Sequence, residues 1–216
     1  MDLIGDRVAA EGILLLYHKG NIDQEPSKLV PLLTYANENI IVWRGVKSPI
    51  EGGLDFITEL DKGNTVTITR LTSTGATPDV AVNFCGWAEP DKLCTILKIN
   101  LPKGFPYIDV NDSIRSTKLF FQGEKEYLLL PVIGLRKLTF QLVNKTISPS
   151  QTDDTKLIQE AILKDKEEMA EPYKTQAAKL EKRFVIYEVN ATYTPSAGRR
   201  KTRKSKRRSR KTRRRV

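Results

Sequence analysis

Three separated clusters in this chain carry residue types able to do chemistry. The first is Val42-Trp43-Arg44-Gly45, where an arginine stands near the end of a β-branched run and a glycine follows at once. A guanidinium there offers a planar, permanently charged fork to phosphate or ribose oxygens, and Gly45 lets the backbone approach a ligand closely. The second is Arg70-Leu71-Thr72-Ser73-Thr74-Gly75, running into Pro78-Asp79-Val80-Ala81-Val82-Asn83-Phe84. Hydroxyls ending an alternating strand commonly serve cross-strand pairs or turn caps. Here a helix follows directly, which would hold Ser73 rigidly at a cleft. The third is Gly123-Glu124-Lys125-Glu126-Tyr127. Glutamates spaced by two point to one face of an extended chain and leave Lys125 on the other. Two such carboxylates repel each other, an arrangement most useful when it faces a cation. Taken singly, each cluster also reads as ordinary strand-edge or loop chemistry.

Other catalytic classes have little to stand on. The single histidine, His18, closes the apolar run Ile13-Leu14-Leu15-Leu16-Tyr17, a place suited to a helix-terminal surface histidine. That leaves no Ser-His-Asp set unless His18 is its base, and no multi-histidine metal site. Cys85 and Cys94 make neither a disulfide framework nor a metal-ligand spacing. The expectation is two reduced thiols in an intracellular compartment, and no metal.

The elements that must position these clusters read as α+β. Helix-like spacing covers 7–18 and 27–37, with Ser27 as N-cap and Pro31 in the first turn. Asn39 and Ile40-Ile41-Val42-Trp43 switch the pattern to strand. Strands are expected at 65–71, 94–101, 106–110, 126–132, 137–143 and 184–193, with a short helix from Pro78 to about Gly86. Asp153-Asp154 open a charged helix with Leu157, Ile158, Ala161 and Ile162 at helical spacing, which Pro172 should break before Arg183. This is not the alternation of a doubly wound sheet.

Charge divides the chain in two. Of 216 residues, 36 are Lys or Arg and 26 are Asp or Glu. Residues 199–216 hold 13 of the basic ones and none of the acidic. The preceding body therefore has 23 basic and 26 acidic groups, a net of −3, and its hydrophobic content is enough to bury a core. The start has no positively charged region before an apolar run, so no signal peptide is read. The longest apolar stretch, Leu128 to Leu135, is too short to span a bilayer. The expected layout is a domain over 1–195, with a helical insertion at 153–183, and a disordered basic tail over 196–216.

In this order, the three clusters resemble the Arg–Ser–Glu class of mono-ADP-ribosyltransferases, the exotoxin-like family with an E-x-E motif. The resemblance runs from about Asn39 to Val143. It takes in the strand-Arg-Gly of 42–45, the Thr-Ser-Thr segment with its P-x-x-A-x-x-F helix, the Leu-Pro-Lys-Gly turn of 101–104 and the E-x-E-x-L-L-L-P of 124–131. Gly75 stands where the family often has a second serine, and Leu71 replaces a common aromatic.

The resemblance implies two packed, antiparallel-rich sheets forming an NAD cleft, with N-terminal helices. It implies an enzyme that moves ADP-ribose from NAD, its co-substrate, to protein arginine with release of nicotinamide. Arg44 would contact the NAD phosphates and ribose, and the Gly45 backbone the nicotinamide carboxamide. Ser73 would support the site and orient the catalytic glutamate, and with Thr74 it would help to bind NAD. Glu126 would be the catalytic carboxylate and Glu124 would select arginine as acceptor; Phe84 would line the nicotinamide pocket, with helix packing the more ordinary job for it. The tail, Arg199 to Val216, resembles those of proteins from large DNA viruses and suits nucleic-acid phosphates or nuclear import. The expected protein is a monomer of the host cytoplasm or nucleus, or packaged in a virion, without membrane association. The alternative is an inactive transferase scaffold serving as a nucleic-acid-binding or virion structural protein.

Overall fold

The run Cys94-Thr95-Ile96-Leu97-Lys98-Ile99-Asn100-Leu101 carries apolar residues at both alternate sets of positions, the pattern of a strand covered on two faces. It forms a central strand, and the other elements build outward from it. The structure, a computed structural model, describes residues 3–18, 26–46, 50–51, 54–85, 93–113, 125–148, 152–168 and 184–196.

In chain order the strands are β1 (Thr34–Tyr35), β2 (Ile40–Val46), β3 (Ile50–Glu51), β4 (Leu54–Asp55), β5 (Val66–Thr67), β6 (Thr72–Gly75), β7 (Cys94–Leu101), β8 (Pro106–Asp109), β9 (Glu126–Leu129), β10 (Val132–Ile133), β11 (Arg136–Ile147) and β12 (Phe184–Pro195). The α-helices are α1 (Leu3–His18), α2 (Phe56–Asp61), α3 (Pro78–Cys85), α4 (Val110–Ser113) and α5 (Asp153–Glu168), and a 3-10 helix covers Pro26–Leu32.

Ten strands form one ladder in the order β1-β8-β9-β6-β2-β7-β12-β11-β10, with β5 added to β11, while β3 and β4 pair separately. The pairings are antiparallel except β12 on β7, which is parallel. The ladder has two arms. β2, β7, β12 and β11 make the long one, and β6, β9, β8 and β1 the short one. Between β6 and β2 the register holds a single pair, Trp43 opposite Gly75. The two expected sheets are therefore continuous through one rung.

Alternation then decides which core each side chain joins. Val42, Leu97, Ile99 and Leu101 of the long arm share a core with Tyr127 and Leu129 of the short one. On the far face of the long arm, Trp43, Cys94, Ile96, Phe184 and Ile186 pack under α3 and α5 through Ala81, Val82, Ile158, Ala161 and Ile162. On the far face of the short arm, Leu128, Leu130 and Ile108 pack under α1 and the 3-10 helix through Ala10, Leu14, Leu29 and Leu32. The segment expected as a helical insertion over 153–183 is helical over 153–168 and packs on the long arm there. Burying Ile158 and Ile162 contributes roughly 1.5–3 kcal/mol each. Lys98 ties α5 down further through a 2.7 Å ion pair with Asp154.

Several expectations are corrected. The segment read as a helix over 27–37 is a 3-10 helix ending at Leu32, with Pro31 inside it and unable to donate an i→i−4 bond. Thr34 and Tyr35 then pair with β8. The alternating run 65–71 is not one strand: only Val66 and Thr67 pair with β11. The chain then crosses to the other arm and resumes pairing at Thr72. The strand read over 126–132 ends at Leu129, and β10 follows Pro131 as a separate element that turns back on β11.

The cysteines are also corrected. Cys85, at the end of α3, and Cys94, at the start of β7, form a disulfide. The packing of α3 on the long arm brings the two residues together although their spacing carries no framework signal. Because disulfides persist in oxidising surroundings, the ground for reading a reducing compartment from them is removed. The second helical segment read before Arg183, and the tail after Ser196, lie outside the described residues.

Candidate active site

Arg44 stands between Val42 and Val46 in alternation, on the side of β2 that meets the short arm, and is half-buried. Its Nη1 donates to the Ser73 carbonyl at 3.5 Å, the outer limit of a hydrogen bond. Trp43 and Gly45 take the opposite side, beneath α3. A Cβ on Gly45 would sit 2.0 Å from the Ala81 carbonyl oxygen and 2.6 Å from the Cys85 nitrogen. The space a side chain would fill there is occupied by the backbone of α3.

Ser73 and Glu126 meet across the β6–β9 pair. Gly75 lies opposite Glu126 and Ser73 opposite Leu128, so the two side chains are diagonal neighbours on one face. Ser73 Oγ donates to Glu126 Oε1 at 2.5 Å, the short contact expected of a hydroxyl on an ionised carboxylate. Arg44, Ser73 and Glu126 are thereby brought to the seam where the two arms join.

Thr74 points the other way. It is 1% exposed, and its hydroxyl donates to the Tyr127 carbonyl at 2.9 Å. It joins the two strands behind Ser73. Phe84 is 52% exposed on α3, whose Val80 side chain abuts Gly75. Glu124 lies outside the described residues.

The residues flanking Glu126 are held by the backbone in the plane of the sheet and by their side chains on the opposite face. The Ala76 N–H donates to the Lys125 carbonyl at 2.9 Å. The Lys125 ammonium stands 5.6 Å from the Tyr127 ring centroid, a cation–π distance. Tyr107 meets Tyr127 edge to face at 5.1 Å. Hydrogen bonding to Tyr127, then attraction to Tyr127 and to Asp109 and Asp112, raises the Lys125 pKa. Burial, reinforced by Tyr127, raises that of Tyr107. The sequence placed Lys125 on the face away from Glu126 but not what receives it. The aromatic one residue beyond the carboxylate was the available signal.

A fixed carboxylate hydrogen-bonded by a hydroxyl, with a guanidinium nearby, can bind an anionic ligand and stabilise positive charge developing beside it. No protein-family model matches the chain, and no curated protein matches it in sequence. Among solved structures the chain is similar to Plx2a, an ADP-ribosyltransferase toxin from Paenibacillus larvae, at 12% identity over 85% of each chain with a TM-score of 0.46. It is similar to C3larvin toxin, an ADP-ribosyltransferase from Paenibacillus larvae, at 14% identity over 88% of this chain and 92% of that one, with a TM-score of 0.38. The Clostridium limosum C3 exoenzyme aligns at 16% identity over 73% of this chain and 61% of its own, with a TM-score of 0.40.

Proposed function

We propose that the protein is an NAD-dependent mono-ADP-ribosyltransferase that transfers ADP-ribose to protein arginine and releases nicotinamide. The observation that carries this reading is the 2.5 Å contact of Ser73 with Glu126, with Arg44 bonded to Ser73 beside it. Three residues far apart in sequence converge on the only rung that joins the two arms among the described residues.

In this reading NAD is a substrate. The Arg44 guanidinium pairs with its diphosphate, as its permanent charge and fork geometry suit. Glu126 accepts a hydrogen bond from the 2′-hydroxyl of the nicotinamide ribose. The bond between C1′ and the nicotinamide nitrogen breaks, and nicotinamide leaves with the electron pair. Positive charge then spreads over C1′ and the ring oxygen, as in glycosidic cleavage. The Glu126 carboxylate stabilises that charge, and Ser73 fixes the carboxylate's direction. A guanidinium nitrogen of the acceptor forms the new bond at C1′ and gives up a proton. Glu124 takes the acceptor guanidinium and that proton. Phe84 and the Gly45 backbone are assigned to the nicotinamide side. The basic residues of 199–216 are assigned to nucleic-acid phosphates, with affinity that falls as salt rises.

Incubation of the full chain with NAD labelled in the nicotinamide ring, with and without an arginine donor, tests the reading. Release of labelled nicotinamide, stimulated by the acceptor, is expected. An inert protein would leave the inactive-scaffold alternative in its place.

A further inference from the structure

Glu126 is the first residue of β9, and its pair with Gly75 is the terminal rung of the β6–β9 ladder. Strand ends fray, so ladder hydrogen bonds alone hold a terminal carboxylate poorly. Just outside that rung, the Lys125 carbonyl takes the Ala76 N–H and the Lys125 ammonium reaches over the Tyr127 ring. Tyr127 is itself fixed, 8% exposed, edge-on to Tyr107, with its carbonyl bonded by the buried Thr74 hydroxyl. Backbone hydrogen bonds thus bracket Glu126 in the plane of the sheet, and the side chains of Lys125 and Tyr127 meet on the face it does not use.

We propose that Lys125 is a positioning residue whose ammonium, seated on the Tyr127 ring, sets the rotation of the strand end and so the direction of the Glu126 carboxylate toward Ser73. The inference rests on the reading of Glu126 as the carboxylate beside the ribose. It also places the lysine where it does not pair with Glu126 itself. A carboxylate bound to its neighbour's ammonium would have its charge partly neutralised before substrate arrived. The ring keeps that cation on the other side of the strand.

The test compares NAD hydrolysis by the full chain with that of Lys125→Gln, Lys125→Arg, Tyr127→Leu, the double variant Lys125→Gln/Tyr127→Leu, and Glu126→Gln. Lys125→Gln is expected to lower kcat about tenfold, because small misplacements of a reacting group cost that much or more, with KM for NAD unchanged. Arginine also stacks on aromatic faces, so Lys125→Arg should recover most of the rate. Two residues acting through one contact are non-additive, so the double variant should lose no more than Lys125→Gln. Wild-type kcat in Lys125→Gln would overturn the proposal. So would equal impairment in Lys125→Arg, or fully additive losses, which would mean the charge acts on the site directly. An inactive Glu126→Gln beside a fully active Lys125→Gln rejects this role alone. An active Glu126→Gln rejects the reading beneath it as well. Should Tyr127→Leu fail to fold, the two Lys125 variants still decide.

Discussion

Ser73 and Glu126, 53 positions apart in sequence, are held 2.5 Å apart by a diagonal step across two antiparallel strands. The hydroxyl has one short acceptor and the carboxylate a fixed direction, which is what pre-organised stabilisation of a positive centre requires.

Replacing Glu126 by Gln keeps the shape and removes the charge. Nicotinamide release and transfer should both fall by about two to three decades, with an unchanged circular dichroism spectrum. Full turnover in the folded variant would exclude Glu126 as the group facing the ribose.

Glu124→Gln should separate two activities. Hydrolysis of NAD should continue, while transfer to an arginine donor should drop about a hundredfold. Parallel assays with and without the donor read the difference, and equal loss of both would contradict distinct roles for the two glutamates.

Gly45→Ala tests the seating of α3. The new methyl would meet backbone at Ala81 and Cys85, and backbone cannot step aside as a side chain tip can. A loss of about 1–3 kcal/mol, read from the urea midpoint, is expected together with reduced activity. An unchanged midpoint would mean that α3 shifts freely.

The disulfide closes a nine-residue separation between α3 and β7. In the chain-entropy account, opening it costs about 2–3 kcal/mol. Urea unfolding with and without reductant should show that difference. Coincident curves would show that α3 holds its place by packing alone.

Asp55 caps α2, accepting the Thr58 N–H at 3.1 Å and the Thr58 hydroxyl at 2.8 Å. The backbone bond, foremost, holds its carboxyl below the usual range. A depressed folded value stabilises the protein above the unfolded value, and the benefit disappears as pH falls through the folded one. Asp55→Ala should therefore cost about 1 kcal/mol near neutrality and progressively less as pH falls below the usual carboxylate range. A gap that stays constant with pH would deny the carboxylate this role.

How legible the sequence was depended on how local each signal is. β7 matches its expected bounds, 94–101, because both faces are apolar and no other pattern fits. α3 begins at Pro78 as read, since proline suits a first turn. The run 65–71 misled because alternation describes a half-buried strand without saying which partner it has, and here the partner changes midway. The clusters around Arg44, Ser73 and Glu126 were visible as residue types, but their meeting is not a local property. It follows from β2 crossing β6 at one rung. The bond between Cys85 and Cys94 is tertiary in the same way, and so is the seat that Tyr127 gives Lys125.

The single rung between Trp43 and Gly75 has a mechanical consequence. Where ladder hydrogen bonds between the arms are this sparse, the alignment of the site depends on what else ties the arms together. They share one core, and beyond it the Tyr193 hydroxyl donates to the Leu130 carbonyl at 2.6 Å and the Leu138 N–H to the Pro131 carbonyl at 2.9 Å. β12 and β11 thereby clasp the chain as it leaves β9. Arg44 adjoins Trp43, Ser73 is two positions from Gly75, and Glu126 lies directly opposite Gly75. The three groups are thus bound at two margins, the rung on one side and the clasp on the other, and a change at Tyr193 would loosen the site without touching it.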